Sequence, residues 1–334
     1  MIEHKEKWVI DTDPGTDDMM CLLYMLNRKD IEIKMISLVE GNTSIKNVQA
    51  NIRKILQITN RLDIPVYTGS QTILYNDHNC NVDGFHGTDG LCCVPELMAM
   101  EYEHIPINPE NASLKMIEII EKNPNEINLL MIGPLTNLAV AYMMNPNILS
   151  SLKNFYTMGG AVISNGNINP AAEFNYAYDY IASKIIIPRA KNLIMIPWET
   201  IEEHIFNTSD FLKIKEDVMN SERSYCSRKT YLVEKVFEKK EETVDKGFMM
   251  CDLYAAMCIF NPNTVKSCFL ASIDTIVDSD RIRGGLLIKK RIKIHDYEEG
   301  RRKLKENQNS GFHLVVEKMC REKIMKELAN VLHD

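Results

Sequence analysis

Asp11, Asp13, Asp17 and Asp18 place four carboxylates within eight residues, on either side of the pair Pro14-Gly15. Like charges a few ångströms apart repel and raise one another's pKa, so such a turn needs compensation, and a hard cation is the usual form of it. Calcium takes about six to eight oxygens from carboxylates, carbonyls and water, and this stretch supplies that donor type without crowding by histidine or thiol. The Pro-Gly bend turns the acids before and after it toward one point. A plainer role stands beside the metal: Asp17 and Asp18 as acids that favour the N-terminus of a following helix.

Something must position that turn. Apolar runs at 7–10, 31–39, 127–132, 155–158 and 193–196 read as strands, and each stops at small, acidic or proline residues before an amphipathic stretch. That is the rhythm of βα units feeding a parallel sheet. The spacing predicts helices over 19–26 and 135–141, and another in which Ile45, Val48, Ile52, Ile55 and Leu56 share a face with Thr43 or Ser44 as N-cap. Residues 315–332 read as a last strand and helix. Neither a linker nor a fixed-period repeat interrupts the chain, so 1–334 is expected to be one α/β domain, with a mainly parallel, Rossmann-like central sheet flanked by helices. In such sheets ligands bind beyond the carboxyl ends of the strands, where the unusual polar residues of this chain fall. The charged stretch 205–247 is helical in pattern and reads either as a flap over the pocket or as solvated surface helices.

Composition narrows the partners. With 45% apolar and 25% charged residues the chain is neither disordered nor fibrous, and its net charge of −7 suits neither nucleic acid nor an anionic membrane surface. A small molecule is the better partner. No uncharged apolar stretch is long enough to span a bilayer, and the opening residues are too charged for a secretory signal. The nine cysteines are scattered without a C-x-x-C pair, as reduced cytoplasmic thiols would be.

Known acidic motifs test the turn at 11–18. An EF-hand counted from Asp11 needs a ligand, glycine and glutamate where this chain has Gly15, Thr16 and Leu22, so it fails. The D-x-D-x-T of aspartyl-nucleophile phosphatases meets Gly15 where threonine belongs, with Thr16 one step late. The inosine-uridine-preferring nucleoside hydrolase family opens with D-x-D-P-G-x-D-D, and Asp11, Asp13, Pro14, Gly15, Asp17 and Asp18 match it throughout. The resemblance continues through Glu40-Gly41-Asn42, Ile64-Pro65-Val66-Tyr67-Thr68-Gly69 and His86-Gly87-Thr88-Asp89-Gly90-Leu91. It extends to Gly133-Pro134-Leu135-Thr136-Asn137, and from Gly159-Gly160 to Asn167 and Glu173-Phe174-Asn175, in the family's order.

That resemblance implies a calcium-dependent ribonucleoside N-glycosyl hydrolase on the nucleoside hydrolase fold, a homo-oligomer (dimer or tetramer) like its family. Asp13 would be the general base on the attacking water and a calcium ligand. Asp18, Asp252 and the backbone carbonyl of Ile132 would complete the protein ligands. Asp17 and Asn175 would bind the ribose 2′ and 3′ hydroxyls, Asn167 and Glu173 the 5′ hydroxyl, and Asn42 would lie in the sugar pocket. The physics agrees: breaking a ribose-to-base bond leaves an oxocarbenium-like sugar, which a carboxylate-rich pocket stabilises.

One block departs from the family. Where H-D-P is usual before the last ligand, this chain has Cys251-Asp252-Leu253. A cysteine here marks a minority group, and a thiol can donate a proton but cannot carry the positive charge of an imidazolium. Cys251 therefore reads as an acid, as a base contact or as a buried small residue. His86 could protonate the leaving base or only close its turn, and Trp198, Tyr225 and Tyr231 could stack on the base or fill the core. His295-Asp296 repeats the lost pair in letters alone and reads as surface. Two further readings remain: a catalytically weak riboside-binding protein, and a magnesium-dependent phosphatase with Asp11 as nucleophile. Base preference stays open, because 75–95 and 220–250 match no family pattern closely.

Overall fold

The computed structural model describes residues 5–75, 84–163, 165–220, 227–243, 247–306 and 311–332. Its strands are Glu6–Thr12 (β1), Ile31–Leu38 (β2), Val66–Thr68 (β3), Ile127–Met131 (β4), Asn154–Met158 (β5), Leu193–Ile196 (β6), Val265–Thr275 (β7), Leu286–Lys293 (β8) and Phe312–Met319 (β9). The earlier helices are Thr16–Leu26 (α1), Ile45–Ile58 (α2), Pro95–Met98 (α3), Ala112–Lys122 (α4), Thr136–Met144 (α5), Phe174–Tyr178 (α6) and Tyr180–Ile186 (α7). The later ones are Thr208–Met219 (α8), Ser227–Thr243 (α9), Cys251–Phe260 (α10), Tyr297–Glu306 (α11) and Arg321–Leu332 (α12).

All described strands join one sheet in the order β3-β2-β1-β4-β5-β6-β9-β7-β8. Every pairing from β3 across to β9 is parallel, and β7 alone runs against its neighbours β9 and β8. The expected α/β domain with a mainly parallel sheet is thus the observed one. Strands β4, β5 and β6 are buried along their whole length, as expected of strands covered on both faces. Alternation divides the core: Trp8 and Ile10 face one apolar cluster with α1, α2 and α10, whereas Val9 faces the other with α4, α5 and α7.

One feature differs from the sequence reading. Strands β7 and β8 are absent from that reading: β8 is an edge strand whose short apolar start, Leu286-Leu287-Ile288, gives way to a mostly exposed basic run, and the apolar run of β7, Cys268–Ala271, has no βα turn after it. The basic residues Lys289-Lys290-Arg291 lie in it, where charge discourages pairing with another chain. The stretch 205–247 forms α8 and α9, which bury Phe211, Ile214, Val218, Val233, Val236 and Phe237 in the cluster on the α1 side. The rings of Phe211 and Phe237 lie 4.9 Å apart, so the two helices are packed core on one face. His295 and Asp296 are exposed, as read. Of the two N-cap candidates for α2 it is Ser44 that accepts the Asn47 N–H, at 3.4 Å. Among the described residues no helix is long and apolar enough to cross a membrane.

Candidate functional site

Strand order reverses between β1 and β4, and at such a switch point the chain leaves adjacent strands in opposite directions and opens a crevice. The acidic turn leaves β1 there, and Ile132-Gly133-Pro134 leaves β4 beside it, with the Ile132 N–H donating to the Asp11 carbonyl at 2.9 Å. Helix α1 packs along α10, which brings Asp252 at the start of α10 to the same spot. Carboxylate oxygens of Asp17, Asp18 and Asp252 all lie within 4.8 Å of one another. Asp13 sits next to them in space that only glycine leaves free, since a Cβ on Gly133 would come 2.7 Å from its Oδ1. Gly41 crowds the same carboxylate from the other side.

Each acid is held differently. Asp18 accepts from Thr12 Oγ1 at 2.5 Å, from the Gly15 N–H at 2.9 Å and from Asn42 Nδ2 at 2.8 Å, so it also caps α1. Asp13 Oδ2 accepts the Asn42 N–H at 2.7 Å, whereas Asp13 Oδ1 and Asp252 Oδ1 are buried without a hydrogen-bond partner. Burial pushes all four carboxyls above their usual range; for Asp13 the charge of Asp18 adds most, and for Asp252 those of Asp17 and Asp18. A divalent cation among them would reverse that repulsion. Orphaned buried oxygens, close carboxylates and the neighbouring Ile132 carbonyl form a hard, all-oxygen donor set, and these residues fit such an ion. The group that meets within 4.8 Å contains Asp17, which the resemblance assigns to ribose alone, and does not contain Asp13, which the resemblance makes a ligand.

A cavity of about 250 Å³ opens above this cluster. All five expected sugar-binding residues, Asp17, Asn42, Asn167, Glu173 and Asn175, line it, as do Ile132 and Asp252. Glu173 is the N-cap of α6, accepting from the Asn175 N–H at 2.8 Å and the Gly160 N–H at 2.7 Å. Burial outweighs those bonds and lifts its carboxyl to about 7. Asn175 Nδ2 donates to the Ile132 carbonyl at 3.2 Å, and Asn167 Oδ1 accepts the Phe174 N–H at 2.9 Å, which ties the loop before α6 to that helix. Asp11 is not in the wall. It is buried beneath, accepting from Ser37 Oγ at 2.5 Å and Asn137 Nδ2 at 2.8 Å, a support for the sheet rather than the exposed nucleophile a phosphatase needs.

Phe85, His86, Trp198 and Cys251 also line the cavity, and this wall meets the acid cluster, since His86 Nδ1 lies 3.7 Å from Asp17 Oδ1 and Cys251 directly precedes Asp252. The Thr16 N–H donates to His86 Nδ1 at 3.1 Å, so that nitrogen is the acceptor and Nε2 bears the ring proton. Burial, then the charge of Lys240, lowers the His86 pKa well below the usual value, and the ring is neutral. Burial and the charge of Asp17 push the Cys251 thiol well up, so it stays protonated. Trp198 is the aromatic candidate that reaches the cavity. Tyr231 does not: it is 45% exposed and its hydroxyl donates to Glu96 Oε1 at 2.8 Å. Tyr225 lies outside the described residues.

The sequence reading missed Phe85 and Lys240. Lys240 is fully buried behind the Phe85–His86 wall, although its run of lysines and glutamates reads as solvated. The signal was its spacing, because Val233, Val236, Phe237 and Lys240 recur on one helical face.

Residues 8–323 match the family model described as inosine-uridine preferring nucleoside hydrolase. A probable uridine nucleosidase of Oryza sativa subsp. japonica is 30% identical over 214 residues, which cover 64% of this chain and 64% of that protein. The chain thus spans under two thirds of that relative's length. A non-specific ribonucleoside hydrolase of Salmonella newport is 27% identical over 268 residues, 79% of this chain and 82% of that one. Among solved structures, a plant nucleoside hydrolase superposes with a TM-score of 0.81 at 23% identity, covering 99% of both chains. A purine-preferring ribonucleoside hydrolase from Gardnerella vaginalis gives 0.79 at 20% identity over 98% of each. At those identities the likeness is one of fold.

Proposed function

The chain belongs to the inosine-uridine preferring nucleoside hydrolase family, and from that premise we propose that it is a calcium-dependent nucleoside N-ribohydrolase releasing ribose and free base. One observation carries the reading. An all-oxygen cluster of buried acids forms the floor of the same cavity that Asn42, Asn167, Glu173 and Asn175 line with hydroxyl-binding groups. Asp13, Asp18, Asp252 and the Ile132 carbonyl would hold calcium, with Asp17 within reach of it. Calcium bound there supplies positive charge that orients a water and the ribose hydroxyls and makes that water more acidic.

The remaining work falls to the side chains. Asp13 takes the proton of the attacking water through Oδ1, the oxygen left without a partner. Asp17 and Asn175 grip the ribose 2′ and 3′ hydroxyls, and Glu173 and Asn167 hold the 5′ hydroxyl, which fixes C1′ over the water. Buried carboxylates around the sugar stabilise the cationic ring as the base departs. His86 faces the departing base as a neutral Nε2–H donor, and Cys251 presents a protonated thiol beside it.

A second reading rests on Cys251. A thiol held protonated cannot bring the charge of an imidazolium to a leaving base, which favours a riboside-binding protein of weak turnover. Ribose release from inosine, adenosine, guanosine, uridine and cytidine, with calcium and with a chelator, separates the two. Chelator-sensitive release is the expected result, and tight riboside binding without release would establish the second reading. The proposal includes a cytoplasmic setting, in line with the free thiols of the seven described cysteines, and a homo-oligomer, which light scattering checks.

A further inference from the structure

Behind the cavity wall lies a cation that the proposed mechanism leaves unused. Lys240, on α9, is fully buried. Its ammonium donates to the Phe85 carbonyl, lies 3.2 Å above the centre of the Phe85 ring and 5.5 Å from that of Phe248. Phe85 in turn meets His86 edge to face, with centroids 4.8 Å apart, and both residues line the cavity. A second tie runs in parallel, from the Tyr231 hydroxyl on α9 to Glu96 on α3. Helix α9 is thus fastened to the segment 84–98 at two points, one of them directly behind the cavity.

Burying an ammonium is expensive, and an apolar side chain of similar length would fill the same space at lower cost. What methionine could not do is bond the Phe85 carbonyl and seat the ring by its charge. No helix or strand runs from 84 to 94; Thr16 holds His86, and Asn47 and Asn51 hold 88–89, while Lys240 bonds the Phe85 carbonyl and packs on its ring.

We propose that Lys240 is the positioning residue of the base end: by bonding and stacking on Phe85 it sets the Phe85–His86 wall against which the nucleobase lies, and so governs nucleoside affinity without touching the sugar. This rests on the nucleoside hydrolase reading for its ligand. Lys240→Met keeps the volume and removes the hold. The expected result is a KM for inosine and uridine raised about tenfold, kcat changed less, inhibition by free ribose within about twofold of wild type, and no loss of thermal stability. Phe85→Leu should have a similar effect, and the double variant should be no worse than either single one, because both break one contact. Unchanged KM values in folded Lys240→Met, equal weakening of ribose and nucleoside, or additive losses in the double variant would each overturn the proposal. If Lys240→Met fails to fold, Phe85→Leu, which leaves the ammonium in place and removes the ring that it seats, serves the same comparison. A wild-type protein that releases no ribose defeats the hydrolase reading alone, since calorimetric titration with inosine, uridine and ribose still decides the role of Lys240. A wild-type protein that binds neither nucleoside defeats both.

Discussion

Two parts of the cavity wall, which meet where His86 approaches Asp17, are built by different means. The acid end is made of strand termini and helix starts: Asp13 follows β1, Asp18 lies in the first turn of α1, Ile132 follows β4 and Asp252 opens α10, with bonds from Thr12, Gly15 and Asn42 holding Asp13 and Asp18. The base end is made of a left-handed segment, half-buried Trp198 and a helix from late in the chain, joined by side chains such as Lys240. An end set by the backbone of a parallel sheet can hold charges close together against their repulsion. An end set by side-chain contacts can change its fit by a few substitutions while the chemistry beside it stays the same.

That contrast can be broken at several points. Asp252→Asn removes a charged ligand from the acid end, and calcium affinity measured by calorimetry should fall about 100-fold or more. A smaller loss would mean that the cluster is a capping network rather than a metal site. Stability should report the same crowding. Between about pH 4 and 7 the folded, metal-free protein holds protons on acids such as Asp17, lifted to about 7 by burial and then by the charge of Asp18, that the unfolded chain has already released. The native state then binds more protons, so stability without metal should decline as pH rises through that window and level off above it. Calcium should therefore raise the melting temperature more at pH 8 than at pH 5. Equal shifts would contradict repulsion among the acids.

At the base end the effects should be smaller and fall on affinity. Trp198→Ala should raise the nucleoside KM about tenfold if the indole stacks on the base, with kcat little changed. For Cys251→Ala, a drop in kcat of no more than about tenfold is expected, with the pH profile unchanged in shape from wild type because the buried thiol stays protonated. A limb near neutral pH in the wild type that the variant lacks would make the thiol a titrating acid. Smallest of all, Tyr231→Phe removes only an exposed bond to Glu96 and should leave KM and kcat within about twofold.

The same contrast explains what the sequence made legible. Acids at a strand end follow an apolar run whose pattern is local, so the cluster Asp11, Asp13, Asp17 and Asp18 can be picked out from the order of residues alone. Asn42, Asn167, Glu173 and Asn175 are picked out only through the family resemblance. Strand β8 is legible in neither way, because an edge strand needs no continuous apolar run. Lys240 is hidden by charged neighbours, and its meaning depends on Phe85, 155 residues away. Tyr231 suggests a base contact by its aromatic character, but which face of α9 meets the cavity is decided by packing against Phe211 and Phe248.

The most direct test of the central claim is hydrolysis by Asp13→Ala at saturating calcium, with calcium binding measured on the same preparation. The account predicts that calcium still binds through Asp18, Asp252 and Asp17, while the rate of ribose release falls about 100- to 10,000-fold, the usual loss for a missing general base. Near-wild-type ribose release from a calcium-bound Asp13→Ala protein would contradict it.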